Sequence, residues 1–549
     1  MALPRSNRFT RTEKSWLFYD WGNSAYATII MAAVFPIYFT NVMAESGGGG
    51  DIWWGTASSI ATLVLAVLAP VLGAVADFRG MKKKLFSAFL VLGLVFTTVM
   101  ALTDNWQLML VGYVFSYIGF AGSLLFYDSF LTDVTTADRM DRVSAWGYAM
   151  GYLGGSTIPF VISIALILFG ESFGISGTLA VKLSCLLCVL WWALFSIPIL
   201  RNVHQTHYED KPAGALIAGT FSNIRRTLID IIKNKAILVF MIAYFFYIDG
   251  VNTVIHMATA YGSSLGLGTT GMILALLVTQ IVAVPFSIGF SKLSAKIGSI
   301  KMISIAIVVY FVICTVGFYM GYSLEPSQKA YTDGFNEVVN QTADSADLSV
   351  LDSAGRAEFM LSIDEILNQA DENLAGSDRA ELFAANIAEA ISTAETEWTD
   401  SAQRIAVQNA LTAIGSKAAV YLADAGLFAD YSDALKRAAM LFWGMAVLVG
   451  TCQGGIQALS RSFFGKLIPP SRSNEFYGFF DIFGKFAAVM GPALYALVAS
   501  STGRSSFGIL SLMLLFAIGL LTIVLGRKHL RQAEMQAAEA ARQSRENEN

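Results

Sequence analysis

Apolar positions in this chain neither alternate nor stripe; they run. Twelve windows of mostly apolar residues recur at about 17–43, 52–76, 85–103, 106–131, 143–169, 177–200, 236–261, 267–290, 302–322, 438–460, 475–500 and 505–526. Each approaches the roughly 20 residues that a helix needs to cross about 30 Å of hydrocarbon, so the pattern predicts twelve transmembrane helices. The first window, which opens with FYDWGNSAYATII at 18–30, is too long for a signal peptide and lacks a small-residue cleavage site. It therefore predicts a retained span. Between windows nine and ten the pattern changes to amphipathic helix, as in AEFMLSIDEILNQADENLAG (357–376). Gly376 and Gly426 read as helix stops there, and Ser377-Asp378 as the start of a further helix.

Composition agrees with the runs. The 549 residues are 55% hydrophobic and only 14% charged, against about 25% charged in a soluble domain. Of the 37 Lys and Arg residues, 27 fall at the N-terminus, in the even-numbered loops, near the ends that face them, and in the C-terminal tail. The positive-inside rule then places both termini in the cytoplasm of a plasma or bacterial inner membrane. The net charge of −4 conceals a division. Residues 325–435 carry 20 acidic and five basic side chains, a balance of −15, and the remainder carries 21 acidic and 32 basic, a balance of +11. The acidic block is expected outside, as a small helical domain that is either simply solvated or meets a cationic ligand or extracytoplasmic partner.

Other chemistry is sparse. Cys185 and Cys188 have CxxC spacing but lie in an apolar run, as do Cys314 and Cys452, so small hydrophobes within helices are expected. His204 and His207, with Glu209 and Asp210, lack the further ligands of a metal site. No nucleophile–base pair and no phosphate-binding loop stands out, so neither an enzyme, nor a cofactor or metal, nor a nucleic-acid partner is expected.

The chain repeats itself. GAVADFRGMKKK (73–84) follows span 2 and SKLSAKIGSIK (291–301) follows span 8, with Gly80 and Gly298 separated by 218 residues. Trp146-Gly147-Tyr148 and Tyr477-Gly478-Phe479 stand 331 apart, and 331 − 218 = 113 is close to the length of the acidic block. Without that block, two six-span halves of equal orientation remain, a parallel repeat about the membrane normal.

These features resemble the major facilitator superfamily. Gly73, Asp77, Gly80 and Lys82 to Lys84 fit its loop motif, although Phe78 stands where an arginine is usual, with Arg79 beside it. Gly73 and Gly80 permit close approach and a tight turn, and Asp77 can cap a neighbouring helix end. In the second copy Ser291 and Ala295 replace the glycine and the aspartate. Four further stretches are similar to the vacuole effluxer family, which is related to fungal vacuolar amino-acid exporters: WLFYDWGNSAYATIIMAAVFPIYF (16–39), VSAWGYAMGYLGG (143–155), FFYIDGVNTVI (245–255) and GGIQALSRSFFGKLIPPSRSNEFYGFFDIFGKFAAVMGP (454–492). The resemblance implies an all-α membrane protein with the major facilitator fold, solute transport by alternating access, and amino-acid efflux; it says nothing about the acidic insertion.

Ionisable side chains within spans are costly and mark candidate pathway sites. They are Asp20, Asp128, Asp249, His256, and Asp481 with Lys485; the last two are spaced to pair on one helix face. Polar neighbours are Asn23, Tyr26, Asn252, Gln280, Gln453 and Gln457. Asp249 falls near mid-membrane and is expected at the centre of the pathway, whereas Asp20 lies near the cytoplasmic boundary and reads as a cavity-mouth residue. Arg461 reads as a positive-inside anchor. Gly73, Asp77, Gly80 and Lys82 are expected to form a conformational-switch loop.

The expected organisation is a six-helix half at 1–200 and a linker with an amphipathic helix at 201–235. The second half comprises 236–322 and 437–526, interrupted by the acidic insertion at 323–436, and the cytoplasmic tail at 527–549 is expected to be a solvated helix that frays. The expected function is secondary transport of a small polar solute, an amino acid or related metabolite, with protons as a coupling candidate and the bilayer as partner. The alternative is a transporter-like receptor acting through the acidic outer domain.

Overall fold

A computed structural model describes residues 8–44, 50–209, 220–372, 378–398 and 400–548. Among the described residues, twelve helices are long and apolar enough to cross a membrane. Spans 1 to 6 are Arg11–Thr40, Trp53–Ala76, Met81–Leu102, Trp106–Val134, Met140–Phe173 and Gly177–Asn202. Spans 7 to 12 are Lys235–Ser264, Gly271–Ile297, Ser299–Asp344, Ala429–Leu467, Pro470–Thr502 and Ser505–Ala540. Together they make the two six-helix halves of the major facilitator fold. One face of the bundle carries the start of span 1 and the loops rich in Lys and Arg; the other carries the acidic insertion. They are called here the basic face and the insertion face.

Local chemistry sets the ends. Thr10 and Glu13 form a reciprocal capping box at the start of span 1. The two glycines of the loop repeat, Gly80 and Gly298, have φ of +72° and +96°, a region open to glycine at little cost. Spans 1 and 5 each contain a widened π segment, Ala27–Ala33 and Gly151–Thr157. The π segment of span 5 crosses span 1 just before the latter's own π segment with almost no space: a Cβ on Gly154 would meet the Trp21 ring at 1.9 Å, and one on Gly155 the Ser24 Cβ at 2.4 Å. Small residues let two membrane helices approach in this way.

The insertion is helical, as expected, but it grows out of the membrane helices. Span 9 runs on without a break to Asp344, and span 10 is part of one 43-residue helix that begins at Ala425. Gly426 thus lies in the first turn of a helix and stops nothing; the helix before it ends at Ala423 with Asp424 as its C-cap. Gly376 and Ser377 lie outside the described residues. Phe335, Phe359, Ile363, Phe383, Ile387, Leu411 and Ile414 form a separate core for this domain.

Two other expectations need correction. Residues 216–232 are expected to form an amphipathic helix with Phe221, Ile224, Leu228 and Ile231 on one side, but in the linker helix α1 (Thr220–Lys233) Leu228 is exposed, while Ile231 is buried and Ile224 half-buried. The tail is helical, as expected, but its first part is packed and not solvated. Span 12 continues as helix to Glu548, Leu530 is fully buried, and Glu534 Oε1 accepts from the backbone N–H of Ser299 at 2.7 Å. The Glu534 carboxylate therefore satisfies an open donor at the start of span 9.

Candidate functional site

A polar cavity of about 300 Å³ lies between the halves, at the lower end for small-molecule sites. Asp128 contributes from span 4, Tyr148 from span 5, Tyr244, Ile248 and Asn252 from span 7, Gln457 and Arg461 from span 10, and Tyr477, Asp481 and Lys485 from span 11. Ile248, Asn252 and His256 are four apart, one stripe of span 7. His256 is exposed, and it lies one turn beyond Asn252 toward the insertion face.

The floor is built around Arg461, whose side chain is only 4% exposed. Its Nη1 donates to Asp128 Oδ1 at 2.8 Å, and its Nε and Nη2 donate to Ser144 Oγ and O at 2.9 and 3.1 Å. Asp20 Oδ2 lies 3.7 Å from Nη2 and accepts from Tyr127 Oη at 2.7 Å. The guanidinium also lies over the rings of Tyr148 and Trp16, 4.5 and 4.8 Å from their centroids. Gly147 leaves room for this cluster, because a Cβ there would come within 2.7 Å of Asp20 Oδ2. Opposite, Asp481 and Lys485 form the expected ion pair on span 11. The cavity thus displays both signs of charge, Asp128 and Asp481 against Arg461 and Lys485, with the Asp20 carboxylate beneath the floor.

Beneath this floor two latches close the basic face. In the first, Asp77 accepts from the backbone N–H groups of Asn474 and Glu475 at 3.0 and 2.9 Å, and from Asn474 Nδ2 at 2.7 Å. Lys82 holds Asp133 of its own half at 2.6 Å and reaches Ser473 Oγ at 3.0 Å. Burial pushes the Asp77 carboxyl up to about 7, against the downward pull of Lys82 and the span 11 donors. A Cβ on Gly73 would lie 2.5 Å from the Asn474 carbonyl oxygen, so this glycine permits the close approach. In the second latch, Asp141 of span 5 pairs with Lys466 at 2.6 Å and accepts from Ser462, Ser299 and Ser294. The linker straps the first latch: the backbone N–H groups of Thr206 and His207 donate to Asp133 Oδ1, both at 2.9 Å. His207 thus serves a carboxylate already held by Lys82, and His204 lies against Lys83 at 3.4 Å.

The expected residues separate into groups. Asp128, Asn252, Gln457, Asp481 and Lys485 line the cavity, and Asp20 lies beneath it. Tyr26 points into its own half, bonded to Ser116 Oγ at 2.6 Å and stacked on Phe120. Asn23 is buried, with its Nδ2 unbonded. Asp249 is fully buried and turned away from the cavity. Its Oδ1 accepts from the Gly491 N–H on span 11 at 2.9 Å, while its Oδ2 has no partner. It sits between its neighbours Ile248 and Asn252 on the pathway without facing it. Gln453 and Gln280 line a separate apolar cleft of about 80 Å³ within the second half, which has no acidic or basic side chain. Arg461 is the main correction: it is a buried hub between the halves, not an anchor at the membrane edge. Tyr148 and Tyr477 belong to the two stretches of the second repeat pair, though not at equivalent positions, and both face the cavity.

The family model described as "Vacuole effluxer Atg22 like" matches residues 56–136, 131–330 and 436–534. The chain is 35% identical over 523 residues to an uncharacterized MFS-type transporter, YxiO, of Bacillus subtilis (strain 168), covering 94% of this chain and 95% of that protein. It is 36% identical over 90 residues to autophagy-related protein 22-2 of Aspergillus oryzae, but this covers only 16% of this chain and 15% of the fungal one. Among solved structures, the proton:xylose symporter XylE matches with a TM-score of 0.52 at 10% identity, covering 93% of this chain and 94% of that one. A bacterial homologue of the iron transporter ferroportin, in an outward-facing state, matches at 0.50 and 12% identity, with 96% and 98% covered. At such identities these two likenesses concern the fold alone.

Proposed function

We propose a function from one premise: this chain belongs to the Atg22-like vacuole effluxer family of the major facilitator superfamily, so it is a multi-pass membrane transporter. The solute we infer is small and carries both charges, an amino acid or related metabolite. The observation that carries this reading is the pairing of Arg461 with Asp128 on one wall of the cavity and of Lys485 with Asp481 on the other. An α-carboxylate competes for the cations and an α-ammonium for the aspartates, so a zwitterion can replace internal pairs with bonds to itself. A solute with one charge would leave a buried partner uncompensated, which is strongly unfavourable.

The basic face is read as cytoplasmic, because the short loops on that side hold the Lys and Arg excess. With the latches shut there, the site belongs to an outward-facing stage, and export would load it when they part. The halves then rock about the Arg461 layer. With Asp20 beneath the floor counted, three carboxylates stand against two cations, which leaves one negative charge around the empty site if all are ionised, and a proton is the simplest cargo to balance it.

Counterflow into proteoliposomes of the purified chain tests the reading. Zwitterionic amino acids are expected to compete for flux, and Arg461→Gln to abolish it. Competition only by neutral sugars or by simple cations would overturn the zwitterion reading. Flux indifferent to an imposed pH gradient would remove proton coupling and leave the rest standing.

A further inference from the structure

The linker helix α1 has three stripes. Thr227 and Ile231 are buried and Ile224 half-buried, where the helix packs on spans 2, 7 and 11. Leu228, Ile229 and Ile232 are 44%, 36% and 55% exposed on another side, an apolar stripe left open by the described residues. Around that stripe stand Arg225, Arg226, Lys233 and, one residue into span 7, Lys235, all exposed. The one acid described on α1, Asp230, is engaged by Arg472 Nη1 at 2.7 Å. The free charge of this surface is therefore wholly positive.

We propose that this stripe of α1 docks into the headgroup layer of an anionic leaflet, and that docking helps hold the first latch shut. Apolar side chains rimmed by Lys and Arg fit the boundary between acyl chains and anionic headgroups, where burial and charge attraction add. The position suits it, since α1 ends at Lys233 and span 7 enters the membrane at Lys235. The connection to the latch is direct. Arg472 binds Thr227 and Asp230 of α1 and also Glu475 at 3.2 Å. It adjoins Ser473, Asn474 and Glu475, which receive Lys82 and Asp77. A helix held against the bilayer fixes Arg472, and Arg472 fixes the turn that Asp77 caps. This rests on the reading of the basic face as cytoplasmic, but its test needs no flux.

The full chain is placed in nanodiscs of phosphatidylcholine alone or with phosphatidylglycerol, and backbone amide exchange is followed across residues 224–233. Exchange is expected to slow several-fold in the anionic discs. The triple variant Arg225→Gln, Arg226→Gln, Lys233→Gln is expected to lose that slowing, and Leu228→Ser with Ile232→Ser to exchange fast in both lipids. Spin labels at Lys84 and Lys296, exposed residues of opposite halves, are expected to show a larger closed population in anionic discs. Equal exchange in both lipids would overturn the proposal, as would slowing that persists in the triple variant. Slowing that follows the number of chains per disc instead of lipid charge would assign the stripe to a second copy and also overturn it. Soluble glycerol phosphate added to neutral discs is expected to do nothing; slowing there would mean a free anion site and defeat the membrane reading.

Discussion

The two latches at the basic face stand at related places in the two halves and solve one problem with opposite parts. In the first, the loop after span 2 supplies the acid, Asp77, and its partners across the seam are mainly backbone N–H groups at the start of span 11. Its lysine, Lys82, forms its ion pair within its own half. In the second, the loop after span 8 has lost its acid. The carboxylate is Asp141 on the opposing span 5, and the contact across the seam is a full ion pair with Lys466, assisted by three serines. The first can therefore be fully broken only from the Asp77 side: substitution of Asn474 or Ser473 removes one side-chain contact each but leaves the backbone donors in place. The second can be broken from either side and rebuilt by exchange of charge.

The largest effect is expected from Asp77→Ala. It removes the acceptor of three N–H donors, and hydrogen bonds to a charged group contribute roughly 1.5–3 kcal/mol each. Closure of the basic face should weaken by about 3 kcal/mol, read as a shift to longer distances between the labels at Lys84 and Lys296. An unchanged distance distribution would remove Asp77 from the latch.

Next comes the second latch. Asp141→Asn and Lys466→Met should each weaken closure by less than Asp77→Ala, and the double-mutant cycle should show a coupling of about 1–2 kcal/mol, as for residues in direct contact. The exchange Asp141→Lys with Lys466→Asp should recover part of the loss. A comparable exchange between Asp77 and Asn474 should recover nothing, because the main donors there are backbone.

A smaller effect is expected from pH. The Asp77 carboxyl titrates near 7 in the closed latch and in the ordinary range near 4 once the latch opens to water. The closed form therefore binds the proton more tightly. Its advantage is complete below about pH 4 and is lost as pH rises through about 7. Lys82 and the Asn474 and Glu475 N–H groups, which favour the charged form, are already included in that balance. The closed fraction should fall between pH 5 and pH 8, and Asp77→Asn should remove this dependence; a dependence that survives must come from another group.

The smallest effect concerns a region outside both latches. Tyr331 and Tyr431 stack with their centroids 5.4 Å apart at the base of the insertion, so residues 332–430 can be replaced by a short flexible loop without parting spans 9 and 10. Unchanged flux would make the domain accessory, whereas lost flux with intact latches would favour the receptor reading.

Much of this was legible in the order of residues. Runs of apolar residues are a one-dimensional signal, because a bilayer requires each span to satisfy its own backbone. The twelve spans, the helical insertion and the repeat followed from it. The paired glycines of the loop repeat, the Asp77 cap and the Asp481–Lys485 pair were also readable, being local or tied to a motif. Asp249 and Arg461 were misjudged for a common reason: depth along a span can be counted, but the direction in which a side chain faces cannot. Asp249 lies at the right depth and faces span 11; Arg461 lies about 9 Å of helix rise from the end of span 10 and faces inward.

By itself the sequence determined the number of spans, the fold and the asymmetry of charge, because hydrophobic length and loop charge act on each segment separately. Tertiary structure alone decided which charges meet. Arg461, Asp20, Asp128 and Ser144 come from four spans and as many as 441 positions apart, and their approach depends on space left by Gly147. A buried charge takes its meaning from its partners, and only packing of the two halves selects them.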